Sequence, residues 1–345
     1  MKIGILTWYF AINYGARAHS LGLYKTLTDL GHECEFIQYY SSNSFMRDFY
    51  SSTAVKHRYL HPWLTLQGMI KLQKFNSQRK DYPVSKKVST AEEIDNLGYD
   101  LIVIGSDEII NIEHPLYNDV YYGVGLKKTP YITYAVSAGT VNKNCDLSDS
   151  ICKSLTAAKA ISVRDANTSE LINHNIKKMP QIVLDPTLLH EYAVEDPIIS
   201  DEYILIYSFG YLEKQKDRIL QLAKDKKMKI VCVGRACSWA DKSILAADLS
   251  EWLNLYKYSK FVVTDSYHGF IFAIKNRKNY ILIAKGNKTN KIDGLLDLIH
   301  ANRRYLADEE NIIAYVDEAI NYDEIFVNLK ACRKEAIEYL HRAGI

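Results

Sequence analysis

Residues 261–273 read Phe261-Val262-Val263-Thr264-Asp265-Ser266-Tyr267-His268-Gly269-Phe270-Ile271-Phe272-Ala273. The apolar run Phe261 to Val263 has the character of a buried strand, and Phe270 to Ile274 reads as the start of a helix. A polar turn carrying a histidine therefore sits where a parallel strand gives way to a helix. That is the place where open α/β sheets bind ligands. Gly269 lets the backbone turn tightly or come close to a ligand. The helix start offers N–H groups and the positive end of a dipole to an anion, and an imidazole beside that anion can exchange protons near neutrality. The alternative is that His268 only caps the turn.

Outward from this stretch, strand-like runs alternate with helix-like ones. In the first half the strands are Ile3 to Trp8, Cys34 to Tyr39, Leu101 to Ile104, Tyr131 to Val136, Ala160 to Val163 and Gln181 to Leu184. In the second half they are Tyr203 to Tyr207, Lys229 to Val233, Phe261 to Thr264 and Tyr280 to Ala284. Amphipathic segments such as Ala16 to Leu30, Leu212 to Lys226 and Lys291 to Ile299 lie between them. This alternation implies parallel sheets covered by helices, and the continuous run Leu101-Ile102-Val103-Ile104 fits a strand buried on both faces. A polar break at Glu195-Asp196-Pro197 separates the two series. The expectation is an α/β chain of two Rossmann-like, doubly wound domains facing a cleft, one over residues 1–192 and one over 200–322. Residues 323–345, with Ile325, Leu329, Ala336 and Leu340 apolar, are expected to form a helix that packs back on the first domain.

The chain has 345 residues, 48% apolar and 24% charged, which suits two well-filled domains. A net charge of +2 gives no electrostatic case for binding nucleic acid. Tyrosine is frequent, at 26 residues, and some of them fall in strand-like runs, where aromatics are favoured, so most are expected to be structural. Six cysteines show no metal-ligand spacing, and Cys34 and Cys232 lie in apolar runs, as buried thiols of a reducing compartment do. The first apolar run is too short for a signal peptide and no stretch approaches the ~20 apolar residues of a membrane span, so a cytoplasmic location is expected. Residues Met46 to Lys87 are rich in Lys and Arg, poor in acids, and interleave Phe49, Tyr59, Trp63 and Phe75. They read either as a face that rests on an anionic membrane surface or lipid-linked acceptor, or as a solvated helix pair.

Further polar turns follow other strands. Asn13-Tyr14-Gly15-Ala16 follows the first, and small residues there admit a ligand close to the backbone, making Asn13 and Gly15 candidates. The dinucleotide and Walker glycine patterns are absent. Gly105-Ser106-Asp107-Glu108 ends the Leu101 strand. Adjacent Asp107 and Glu108 alternate in direction and so do not form an acid–base pair, but one can orient a hydroxyl; the alternative is an N-cap at Ser106 or Asp107. Ser137 in Ser137-Ala138-Gly139-Thr140 can donate to a phosphate. Arg164, at the end of its strand, needs an anion, either a substrate or a carboxylate such as Asp165 or Asp185. In Lys285-Gly286-Asn287-Lys288-Thr289-Asn290-Lys291 the candidates for anion binding are Lys285, Asn290 and Lys291, with a solvated loop as the alternative, and Arg235 can add a cation. No metal-ligand cluster and no Gly-x-Ser-x-Gly elbow is present, so no metal site is expected.

In this order the motifs resemble the polysaccharide pyruvyl transferase family. They are Asn13-Tyr14-Gly15-Ala16, Ile104-Gly105-Ser106-Asp107-Glu108, Ile161-Ser162-Val163-Arg164-Asp165, Val183-Leu184-Asp185-Pro186-Thr187-Leu188-Leu189 and Thr264-Asp265-Ser266-Tyr267-His268-Gly269 with Ile271-Phe272-Ala273. The resemblance implies a fold like that of GT-B glycosyltransferases. It also implies transfer of pyruvate from phosphoenolpyruvate to a glycan or lipid-linked saccharide of a bacterial surface polysaccharide, forming a pyruvate ketal, with no cofactor besides the donor. His268 and Arg164 then serve the donor, and Asp107 or Glu108 takes the proton of the attacking hydroxyl. The chain departs from the family pattern in three of these motifs. Ser266 stands where an Arg is expected, Ala16 where an acid is expected, and Glu108-Ile109-Ile110-Asn111 where Gln-Val-Trp-Asn is usual. These departures keep open a GT-B glycosyltransferase with a nucleotide-sugar donor, and a non-catalytic glycan-binding protein of the same fold.

Overall fold

A computed structural model describes residues 1–40, 61–210, 212–283, 289–301, 303–305 and 318–345. These residues divide into two compact units. Unit 1 holds residues 1–40, 77–191 and 329–345, and unit 2 holds 61–76 and 192–328.

The sheet of unit 1 has six parallel strands in the order β2-β1-β3-β4-β5-β6. These are β1 (Lys2–Leu6), β2 (Glu33–Phe36), β3 (Leu101–Asp107), β4 (Tyr131–Val136), β5 (Ser162–Val163) and β6 (Gln181–Ile182). Its central strands are buried along nearly their whole length because both faces are covered. Ile102 and Ile104 of β3 enter a core with Ile151, Leu155, Leu171 and Ile172, whereas Leu101 and Val103 enter the opposite core with Leu23 and Leu27. The covering helices include α1 (Tyr14–Asp29); further helices among the described residues are α2 (Pro62–Gln78), α3 (Ala91–Asp95), α4 (Asp149–Ala157) and α5 (Ala166–Ile176).

Unit 2 carries a five-stranded parallel sheet ordered β11-β10-β7-β8-β9. Its strands are β7 (Tyr203–Tyr207), β8 (Lys229–Val233), β9 (Lys242–Ile244), β10 (Phe261–Thr264) and β11 (Asn279–Leu282). Among the described residues they are accompanied by α6 (Lys216–Lys226), α7 (Leu249–Tyr258), α8 (Tyr267–Lys275) and α9 (Thr289–Ile299). The last helix, α10 (Tyr322–Arg342), places Ala336, Tyr339 and Leu340 in a core of unit 1, and the Tyr339 hydroxyl donates to the Thr133 carbonyl at 2.8 Å.

Both sheets reverse their direction of growth at one point. In unit 1 the chain adds β2 on one side of β1 and β3 on the other. In unit 2 it adds β8 and β9 on one side of β7, then β10 and β11 on the other. Loops leaving the carboxyl ends of strands diverge at such a switch point, opening a crevice. In unit 1 that point collects the loops after β1 and β3, and in unit 2 those after β7 and β10.

Candidate functional site

At the switch point of unit 1, β3 runs on through Gly105 and Ser106 to Asp107. Gly105 sits at φ 147°, where a Cβ would lie 2.1 Å from the Tyr134 carbonyl oxygen, so only glycine fits. Asp107 itself lies at φ 78°, a conformation that costs a non-glycine residue roughly 1–3 kcal/mol and is met mostly where the surroundings fix it. Here the Ser137 N–H donates to the Asp107 carbonyl at 2.9 Å, and the side chain is gripped from two sides. Arg164 Nη2 donates to Asp107 Oδ1 at 2.6 Å, while Arg164 Nη1 donates to Asp185 Oδ2 at 2.8 Å. Asp185 Oδ1 in turn accepts from the Thr187 N–H and hydroxyl at 3.0 and 2.6 Å. Of the carboxylates considered for Arg164, Asp185 is the partner. Asp165 instead caps α5, accepting from the Thr168 N–H.

A residue that sequence reasoning did not single out completes the group. His19, fully buried on α1, places Nδ1 2.9 Å from the Ser106 hydroxyl and Nε2 3.5 Å from Asp107 Oδ2. The second distance is an electrostatic contact rather than a formed hydrogen bond. Asp107 is the outermost member, its side chain 17% exposed against 2% for Arg164 and none for Asp185. The reachable end of the group is Asp107. Burial makes these contacts strong, and makes removal of any single partner costly.

The other candidates of unit 1 have internal partners. Asn13 is the N-cap of α1, its Oδ1 accepting from the Ala16 N–H at 3.1 Å, and Gly15 is buried in the first turn of that helix. The Ser106 and Ser137 side chains are fully buried, Ser137 Oγ accepting from the Gly139 N–H at 3.1 Å. Glu108 Oε2 accepts from Asn111 Nδ2 at 3.2 Å.

The switch point of unit 2 is made of hydroxyls and backbone groups. Thr264, ending β10, donates to the Tyr207 carbonyl at 2.6 Å and accepts from the Ser266 N–H at 3.1 Å. Ser266 is the N-cap of α8, its Oγ accepting from the Gly269 N–H at 3.3 Å. A Cβ on Gly269 would lie 2.2 Å from Thr264 Oγ1 and 2.9 Å from the Tyr256 hydroxyl, so the glycine is demanded by packing under the turn. The result holds His268, largely buried, in the first turn of α8, its ring edge-on to Tyr267 with centroids 5.4 Å apart. Asp265 ties β10 to the loop after β7, accepting from the Ser208 hydroxyl at 2.6 Å and the Phe209 N–H at 2.8 Å. Phe209 stands outward above an aromatic layer of Tyr207, Trp252, Tyr256 and Phe272. Burial holds the Tyr256 hydroxyl neutral by raising its pKa well above the ordinary 10.0.

Lys291 is buried near the start of α9. Lys285 lies outside the described residues, as do Lys288 and the side chain of Asn290. Among the described residues no group of three or more His, Cys, Asp or Glu could hold a metal ion, and no helix is long and apolar enough to cross a membrane. All six cysteines are free, and burial raises the thiols of Cys34 and Cys232 to about 12.

Residues 13–286 match the family model described as polysaccharide pyruvyl transferase. No curated protein matches the chain by sequence. Among solved structures, the chain is similar to the UDP-GlcNAc 2-epimerase of Methanocaldococcus jannaschii in complex with UDP-GlcNAc and UDP. That likeness has 12% identity and a TM-score of 0.55, over 99% of this chain and 100% of the other. It is also similar to S. aureus MnaA solved with UDP, at 9% identity and a TM-score of 0.50, over 95% and 90% of the two chains. These likenesses establish the α/β architecture of two Rossmann-like domains shared by GT-B enzymes and such epimerases.

Proposed function

Because the chain belongs to the polysaccharide pyruvyl transferase family, we propose that it moves pyruvate from phosphoenolpyruvate to hydroxyls of a surface-polysaccharide sugar or its lipid-linked precursor. The observation that carries this reading is the Asp107 group of unit 1. There a single reachable carboxylate is held by Arg164 and faced by buried His19, as a proton acceptor for an alcohol requires.

In the reaction, the methylene carbon of phosphoenolpyruvate takes a proton and a sugar hydroxyl adds to the adjacent carbon. The carbon–oxygen bond to phosphate then breaks, and a second hydroxyl closes the ketal. Of the two hydroxyl protons, one balances the new methyl group and the other leaves with inorganic phosphate. Asp107 receives a hydroxyl proton. Arg164 fixes that carboxylate, since each of its Nη atoms already meets an Asp. His268 supplies the proton to the donor or its departing phosphate, beside the N–H groups that open α8.

One observation favours a second reading. Ser266, standing where the family carries an Arg, is occupied as the cap of α8 and brings no cation to the turn. A nucleotide-sugar donor would suit that substitution.

Titration of phosphoenolpyruvate into the purified protein, followed by phosphate release with a saccharide acceptor, tests both. Saturable binding is expected, and His268→Ala should lower phosphate release by about a hundredfold or more while leaving the circular dichroism spectrum unchanged. Undiminished release in that variant removes His268 from the chemistry. Binding of a UDP-sugar without binding of phosphoenolpyruvate replaces the first reading by the second.

A further inference from the structure

A buried hydroxyl tolerates an oxygen that accepts nothing, but a proton left without an acceptor is costly. Ser106 is fully buried, and among the described residues its hydroxyl meets His19 Nδ1, at 2.9 Å. If the imidazole were the donor there, the serine proton would have no acceptor among the described residues. The assignment that satisfies both groups has the serine donating and Nδ1 accepting. An imidazole whose Nδ1 accepts carries its proton on Nε2. That nitrogen faces Asp107 Oδ2 at 3.5 Å, so the carboxylate selects the same tautomer from the other side.

The two oxygens of Asp107 are thus met separately, Oδ1 by Arg164 Nη2 at 2.6 Å and Oδ2 by the His19 N–H. A serine–histidine–carboxylate row is also the make-up of a nucleophilic serine, but burial reverses the order here. Ser106 and His19 are closed to solvent, and the carboxylate, 17% exposed, is the reachable end. An N–H directed at a carboxylate favours its charged form. The groups that face Asp107 among the described residues are Arg164 from the end of β5 and His19 from α1. Asp185 lies beyond Arg164, and Glu108, next along the chain, accepts from Asn111.

We propose that His19, locked by Ser106 as the Nε2–H tautomer, is a positioning residue that keeps Asp107 ionised and oriented. This role rests on the reading of Asp107 as the acceptor of a hydroxyl proton, whereas the tautomer does not. Two variants separate the ring nitrogens. His19→Gln puts an amide N–H where Nε2 stands, while His19→Asn reaches only as far as Nδ1 and keeps an acceptor for Ser106. Imidazole nitrogen NMR of the parent at neutral pH should show one protonated and one unprotonated nitrogen for His19, assigned by the loss of its signals in either variant. Carboxyl-carbon NMR should find Asp107 taking up its proton about one pH unit higher in His19→Asn than in the parent, with His19→Gln restoring most of the difference. The acid limb of phosphate release should move in the same order, which a merely structural loss would not produce. A His19 ring protonated at Nδ1, or an Asp107 titration that is unchanged or shifts equally in the two variants, overturns the proposal. If Asp107 titrates as expected while the parent releases no phosphate, the clamp stands and the reaction assigned to it falls.

Discussion

The two switch points share one architecture and differ in chemistry. Unit 1 concentrates charge there: Asp107, Arg164 and Asp185 form a buried chain, closed by His19 and Ser106. Unit 2 builds its turn from the Thr264 and Ser266 hydroxyls, backbone N–H groups and one imidazole. A buried ion chain fixes a carboxylate but depends on every member. A capped helix start leaves its first N–H groups to be met by side chains or a ligand, and tolerates change more cheaply.

The sharpest way to break this comparison is Arg164→Met, which leaves two carboxylates facing each other in a buried site. A loss of about 3–5 kcal/mol in urea unfolding is expected. A loss below about 1 kcal/mol would mean that the chain of charges adds nothing to the fold. Gly269→Ala forces a methyl group against Thr264 Oγ1 and should cost about 1–3 kcal/mol. Faster hydrogen exchange in β10 with β3 unaffected would confine the damage to unit 2, whereas equal acceleration in both would erase the distinction. Ser266→Ala removes a cap and should cost about 1 kcal/mol in the same assay, with Ser266→Asp recovering it, since any short oxygen acceptor serves there. No recovery by Asp would mean that the serine acts otherwise than as a cap.

The smallest effect is a pH dependence assigned to unit 2. Burial, with Lys257 and Lys260 adding repulsion, lowers Lys278 from 10.5 to about 8. Burial alone lowers Lys71, also in unit 2, to the same value. Between those pH values the unfolded chain binds more protons, so stability should rise from pH 8 toward 10.5. Lys278→Met should flatten that rise, and an unchanged slope in thermal melts would remove Lys278 as its source.

The architecture was largely legible in the sequence because apolar runs and their alternation with amphipathic segments are local signals. What escaped was short or marginal. β9 is three residues, Lys242–Ile244, at a sheet edge with too little burial to force an apolar pattern. The run from Cys34 reads as a strand to Tyr39, but β2 ends at Phe36, after which single bridges take over. The turns bearing Asp107, Arg164 and His268 announced themselves by following strands. His19 did not, because nothing local distinguishes a histidine inside an amphipathic helix, and its partners lie 87 and 88 residues further along the chain. Which carboxylate Arg164 would choose was likewise a matter of long-range topology.

The placement of α10 bears on how the protein is made. A core of unit 1 includes Ala336, Tyr339 and Leu340, yet the last strand of its sheet is finished at Ile182. At ribosomal speeds of about 5–20 residues per second, the gap corresponds to roughly 10–30 s of synthesis. During that interval Tyr134 and its neighbours lack their final cover while every strand of unit 2 is completed. The half of the chain that emerges first is thus the half that closes last, and a nascent chain halted before α10 would carry all the described strands of unit 2 beside an open first unit.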